Sequence, residues 1–389
     1  MAQGESNRVS IRVSKETTWN ETPSTPTMAR LPYLSDTLGH NKRVRQSDVL
    51  RSDRMRDAQV QVGVDAQGDI NFELRFGDFD NLLEVALAST YVTATETGSG
   101  GASDHSFAVA SGGVQVITGP ATVWDSFTVG AWVKISGSSQ SANNGIFKVT
   151  AKTSTTITVA NPAGVSAASQ TTTFVQKMLR NGTTKQSVLI EKQYEDLTTN
   201  YLNFRGMRVA GLSLNISTEQ IITGVFRFMG ARGNIATATV SGSLTGPGTT
   251  TSMTASTNVG NIVEGGASLS TAIRSITMDL NNNTRALPGV GNVAAIGINL
   301  GSITLTGRVE AYFEDQTLLT KVYNHTSSSL EFRCTDESGN VMVFTMSQLR
   351  WSGNPNNPGI DQDVLLPLDF ACEREPTNSV MIQVDSLAA

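Results

Sequence analysis

The side chains that could do chemistry in this chain are few and scattered. Its three histidines, His40, His105 and His325, lie far apart in sequence. No HExxH, no Cys/His spacing and no Gly-x-Ser-x-Gly accompanies them. Each reads as a solvated loop residue rather than a ligand, and no metal, cofactor or catalytic residue is expected. Asp78-x-Asp80 has the start of a calcium loop, but the remaining ligand positions are missing, so helix capping accounts for it better. The glycine clusters at 98–101 and 289–297 lack the strand–turn–helix context and the lysine of a phosphate cradle. Cys334 and Cys372 are too few for a disulfide framework and read as buried strand cysteines. Trp124, Phe127, Trp132 and Phe147 could form a sugar-binding platform. More often such rings fill the core of a small β domain, and that reading is preferred.

One run of charge stands out. Lys42, Arg43, Arg45, Arg51, Arg54 and Arg56 fall within fifteen residues. Asp48, Asp53 and Asp57 are interleaved with them, which argues against a nucleic-acid surface and for a long polar loop. Arginine pairs bidentately with carboxylates, so the loop is expected to contact a neighbouring protein.

The elements that must position these residues are short. The 389 residues suffice for two or three domains with cores of their own. The net charge is −5, and 16% of residues are charged, which excludes a broadly basic binding surface. Abundant Thr, Ser and Gly, short alternating runs and polar turns point to an all-β fold. The first residues, MAQGESNRVSIRVSKE, have no apolar core, so no signal peptide is expected. No stretch approaches the ~18 apolar residues of a membrane helix. The expectation is a protein made and kept soluble in cytoplasm, at least at first, without a membrane anchor.

Two stretches read as one unit written twice. Gly68 to Tyr91 and Gly301 to Asn324 each give a Gly-led alternating strand, an acidic turn and a short helix. The helices carry the pairs Leu82-Leu83 and Leu318-Leu319. The sequence after each, Thr183 to Gly230 and Ser327 to Cys372, repeats the order strand, acidic turn, strand, loop, strand. The segments before them, Arg30–Val44 and Ile273–Leu287, correspond loosely.

The resulting division is an N-terminal arm over 1–28, with a strand at Val9–Val13, then a discontinuous first domain over 29–92 and 178–232. A small β domain of about five strands is inserted over 93–177, with Asn144-Gly145 as a hairpin signal. A Thr/Gly/Ser-rich linker or arm follows over 233–269, then a second domain over 270–376 and a polar C-terminal tail over 377–389.

The repeated unit resembles the major tail tube proteins of long-tailed bacteriophages. SVLIEKQYED…YLNFRGMRVAGLSLNIS…IITGVFRFMGARG is similar to that family in particular, and the likeness covers roughly 30–92, 178–232 and 270–376. The insert resembles β modules that decorate phage tails. The resemblance implies two tandem β-sandwich or rolled-barrel domains, each with one short helix. It also implies a structural virion protein whose rings stack into a tube conducting DNA from capsid to host. Tubes of this kind present six domains around the lumen, so two per chain imply a homotrimeric ring with pseudo-sixfold symmetry; a homohexamer is the alternative. The implied partners are other copies, terminator and tail-tip or baseplate proteins, and tape measure protein and DNA in the lumen. The basic run would face the next ring, the insert would project outward, and the tail would be non-contractile. A baseplate hub, a terminator or a glycan-binding tail protein are the competing readings.

Overall fold

Apolar residues at every second position build strands with one buried face, and they do so along nearly the whole chain. The structure, a computed structural model, describes residues 4–197, 199–356 and 359–389. The chain opens with β1 (Val9–Lys15), β2 (Thr27–Arg30), β3 (Ser35–Asp36), β4 (Gly39–Gln46), β5 (Gln59–Glu73) and helix α1 (Asp80–Ala86). A block of eight strands follows: β6 (Val92–Thr97), β7 (His105–Ala110), β8 (Val114–Thr118), β9 (Trp132–Ser136), β10 (Gly145–Lys152), β11 (Thr156–Ala160), β12 (Ala167–Gln170) and β13 (Thr173–Arg180). Next come β14 (Val188–Tyr194), β15 (Tyr201–Ser217), β16 (Thr223–Gly230) and β17 (Arg232–Ala236), then β18 (Ser243–Thr245), β19 (Val259–Glu264) and β20 (Ala267–Ser268). The last part holds β21 (Ile273–Asn281), β22 (Arg285–Leu287), β23 (Gly297–Asn299), β24 (Thr304–Tyr312), helix α2 (Thr317–Tyr323), β25 (Ser327–Thr335), β26 (Val341–Gly353), β27 (Leu365–Cys372) and β28 (Ile382–Leu387).

Eight of these strands form one antiparallel run in the order β4-β5-β16-β15-β21-β24-β27-β26. Its first four strands and its last four have the same connectivity. β5 pairs with β16 as β24 pairs with β27, and β16 pairs with β15 as β27 pairs with β26. The same glycine requirement recurs. A Cβ on Gly68 of β5 would lie 2.6 Å from the Leu38 backbone, and one on Gly307 of β24 would lie 2.2 Å from the Thr277 carbonyl. Only glycine lets each strand approach its neighbour so closely.

A second layer covers the apolar face. In the first half it runs β2-β1-β14-β15-β17, and in the second β20-β19-β25-β26-β28. The long strands β15 and β26 belong to both layers: their N-terminal parts pair outward and their C-terminal parts join the eight-stranded run. β15 turns this corner at Gly206 (φ +63°) and a bulge between Val209 and Gly211. One continuous apolar core lies between the layers, from Ile11 to Val384. Phe72, Phe79 and Phe226 meet there at centroid separations of 4.4, 4.7 and 6.0 Å. Burial of each such ring is worth roughly 1.5–3 kcal/mol. Both helices serve this core: Leu82 and Leu83 are buried, as is Leu318, with Leu319 packed against them in part.

The 233–269 stretch is not a free linker. β17 pairs with β15, β18 pairs in parallel with β2, and β19 pairs with β25, the place that β1 takes beside β14. Met253 is fully buried. Polar Thr/Gly/Ser sequence still offers a complete set of backbone donors and acceptors, and edge pairing uses those rather than apolar side chains. The C-terminal tail is likewise not a tail. All six residues of β28 are buried.

Residues from Ala94 to Phe174 enclose a separate core. Its eight strands, rather than about five, roll into a small barrel in the order β6-β13-β9-β10-β11-β8-β7-β12. The hairpin at Asn144-Gly145 is present as β9–β10, but its loop spans 137–144 because Ile135 opposes Gly145. This barrel is fastened to the second half of the chain. β28 lies between β26 and β13, with Phe344 opposite Val384 and Leu179 opposite Val384. Lys148 reaches Glu331 at 2.8 Å.

Asp385 is buried at this seam, its Oδ1 accepting from the Trp132 amide (3.1 Å) and its Oδ2 from Gln383 Nε2 (2.6 Å). Burial pushes its carboxyl from the ordinary 3.8 up to about 7, against these hydrogen bonds. The folded state therefore holds the proton more tightly than the unfolded chain. That contribution is complete below the unfolded pKa and lost as pH rises through the folded one. Asp385→Asn removes the titration. Relative to wild type, the variant should gain up to about 4 kcal/mol between about pH 4 and pH 7 and no more above it. Denaturant unfolding across that range measures this; a pH-independent difference would refute it.

Candidate assembly surfaces

Among the described residues, no group of three His, Cys, Asp or Glu side chains is placed to hold a metal. His325 is exposed, whereas His40 lies on strand β4 and accepts from the Gly233 amide through Nδ1 at 3.1 Å. His105 overturns the loop expectation. It is fully buried in the small barrel, against Trp124 and Phe174, with Nδ1 2.9 Å from Thr172 Oγ1. Burial lowers its pKa, so it is a neutral core residue. A two-residue gap from Phe107 is the signal that the sequence reading passed over. Trp124 and Phe127 are fully buried and Phe147 packs against the same cluster, so these three rings belong to the core, while half-buried Trp132 lies outside it. Cys334 is buried and Cys372 partly so, both free, with thiols raised to about 12 by burial. Asp315, just before the N-cap residue Gln316, accepts from the first amide of helix α2, that of Thr317, at 2.8 Å. Asp78 does not do so at α1; it accepts from the Gly248 amide, tying down the 240s segment.

What the fold does present is a sheet with two unfinished ends. At its middle, β15 and β21 join in register from Gly211↔Asn281 to Ser217↔Ser275. That junction buries Leu212 on Leu280, Leu214 on Met278 and Ile216 on Ile276. At one end, β3 and β4 pair with β5 alone. At the other, β26 from Trp351 onward pairs only with β27, and a last bridge joins Asn356 to Leu365. An unpaired edge is a template for another strand.

The uncovered face of the sheet is polar. Asn71, Ser213, Asn215, Thr277, Thr304 and Thr306 stand on it beside charged side chains. Four arginines of these strands meet a carboxylate: Arg43 pairs with Asp65, Arg227 with Asp279, Arg308 with Glu310 and Asp369, and Arg350 with Glu373. Among the described residues exposed Arg274 of β21 forms no ion pair. Lys42, the one lysine in the eight strands, opposes buried Val64 and so points to the other side. Exposed pairs of this kind add little stability; their consequence here is that much of the positive charge carried by the sheet is matched by carboxylates.

The basic run is a hairpin rather than a loop alone. Lys42, Arg43 and Arg45 lie on β4, which pairs with β5 out to Gln46↔Gln59, because alternation continues past the body of the sheet. Val44, Val60 and Val62 are exposed on it, as are Leu50 and Met55 at the tip. Arg51 closes the tip on itself, reaching Asp53 at 2.7 Å and Asp57 at 2.6 Å. These hydrogen bonds hold the Asp53 carboxyl below its usual value. Among the described residues Lys42, Arg45, Arg54 and Arg56 form no ion pair.

The model of a family described as phage tail tube protein matches residues 6–372. The chain belongs to the phage tail tube protein family. No curated protein matches it. The family is one of structural tail components, in keeping with the sheet-dominated fold. No helix among the described residues of this tail tube protein is long and apolar enough to cross a membrane. In such a protein the surfaces that matter are edges and faces. Sequence reading found the charged arm but missed the Thr37–Asn41 and Ser352–Asn356 edges. The one signal for the latter was Pro355, since proline in a sheet keeps to edges.

Proposed function

We propose that this chain is the repeating subunit of a non-contractile phage tail tube, in which three copies close a ring and the rings stack. The observation that carries the reading is the internal β15·β21 junction together with the two open edges that repeat its halves. The two halves of the chain are copies of one building block, and their shared strand order supports this. Joining the last edge of one copy to the first edge of the next is a heterologous contact, which closes by rotation. Closure removes every free edge.

The polar face then lines the channel. Four arginines of the sheet are paired with carboxylates, so DNA releases few counterions on contact and slides without being held. The charged arm contacts the adjacent ring. The small barrel lies outside, where it would obstruct a contractile sheath. Terminator and tail-tip proteins cap the tube, tape measure protein fills it first, and assembly takes place in the host cytoplasm before incorporation in the virion.

Native mass measurement on isolated rings, or the rotational symmetry of tube cross-sections, tests this. Three chains per ring with pseudo-sixfold symmetry is the expected result. Six chains per ring would overturn it.

A further inference from the structure

The internal junction shows what an edge of this sheet looks like when fully joined, so the open edges can be compared with it residue by residue. On the receiving strand, the Asn215↔Thr223 pair of the first half has its counterpart in Asn356↔Leu365. Gly211↔Arg227 likewise corresponds to Ser352↔Asp369, and Leu212↔Phe226 to Gly353↔Leu368. On the incoming strand, Ser275↔Glu310 corresponds to Ser35↔Asn71, and Asn281↔Thr304 to Asn41↔Asp65. Thr37–Asn41 therefore takes the place of Thr277–Asn281, and Ser352–Asn356 that of Gly211–Asn215.

The open edges differ from the joined ones where it counts. Leu212 and Leu214 are replaced by Gly353 and Pro355, and Leu280 by His40. The apolar pairs Leu212–Leu280 and Leu214–Met278 become Gly353–His40 and Pro355–Leu38. Pro355 also withdraws one backbone donor. Proline and a missing side chain are the devices by which edge strands avoid uncontrolled pairing.

Resting on the ring reading, we propose that a second copy of this chain docks its Thr37–Asn41 edge on Ser352–Asn356 in the register of the internal junction, Asn41 opposite Ser352. This contact is a deliberately weakened version of the internal one. The free chain stays monomeric, and rings close against an existing ring, where the arm adds its contacts.

Two variants test it on the full chain. Directly opposed antiparallel residues sit about 4.5–5.5 Å apart, within disulfide reach. Oxidised rings of Asn41→Cys/Ser352→Cys should run as covalent multimers without reductant, while either single variant and the offset pair Thr37→Cys/Ser352→Cys should not. Pro355→Leu restores the donor and the side chain. It should lower the concentration at which rings form by at least about tenfold, with wild type monomeric by sedimentation under the same conditions. Rings that form without the Asn41–Ser352 cross-link overturn the register and leave the ring reading standing. Wild type assembling as readily as Pro355→Leu overturns the guarded edge. A chain that forms no ring in any variant or in tails overturns both.

Discussion

Reversing the arm's charge with Arg43, Arg45, Arg51 and Arg54 all changed to Glu should abolish tube elongation and leave the protomer folded. All four side chains lie on the exposed hairpin or its tip. The ion pairs lost inside the protomer are Arg43–Asp65, Arg51–Asp53 and Arg51–Asp57. Exposed pairs of this kind contribute little to stability, because solvent and salt screen them. The tip loses its closure, since a carboxylate at 51 would face Asp53 and Asp57. On the proposed stacking the inter-ring contact would differ in scale, because every subunit of a ring would make it at once and the terms would multiply in avidity. Circular dichroism and melting temperature should be close to wild type, and electron micrographs should show monomers or single rings. Tubes of normal length would exclude the arm as the contact between rings.

The second large effect is expected from removing the last strand. Truncation before Ile382 takes away β28, which pairs with β26 on one side and β13 on the other. Ile382 and Val384 leave the main core, and Asp385 leaves its buried place beside Trp132. Loss of each apolar side chain costs about 2–5 kcal/mol where the site cannot collapse. Two strand edges also lose their ladders. The truncated chain should show amide exchange in β26 and β13 faster by orders of magnitude and a lower melting temperature. Limited proteolysis should release a resistant fragment near 93–177, since that barrel keeps its own core. Unchanged exchange in β26 would mean that β28 is dispensable to the seam.

These expectations separate what alternation makes visible from what it hides. Strands β5 and β24, the helices with their leucine pairs and the repeated order of elements were legible because period-two burial and short apolar pairs are written in neighbouring residues. The 233–269 stretch and β28 were not. Their pairing partners lie far away in the chain, and an edge strand needs backbone groups more than side chains. His105 shows the same limit. A histidine between Asp104 and Ser106 looks solvated until Trp124 and Phe174 close over it.

By itself, the sequence determined the all-β class, the family, the repeated order of elements and the charged segment at 42–56, because each rests on short-range pattern or composition. Tertiary structure alone decided which edges remain open and which arginines of the sheet meet carboxylates. It alone showed that the inserted barrel is fastened to the opposite half of the chain. Those outcomes depend on which strand lies beside which. Register across hundreds of residues is set by the packing of the whole core and not by any local run.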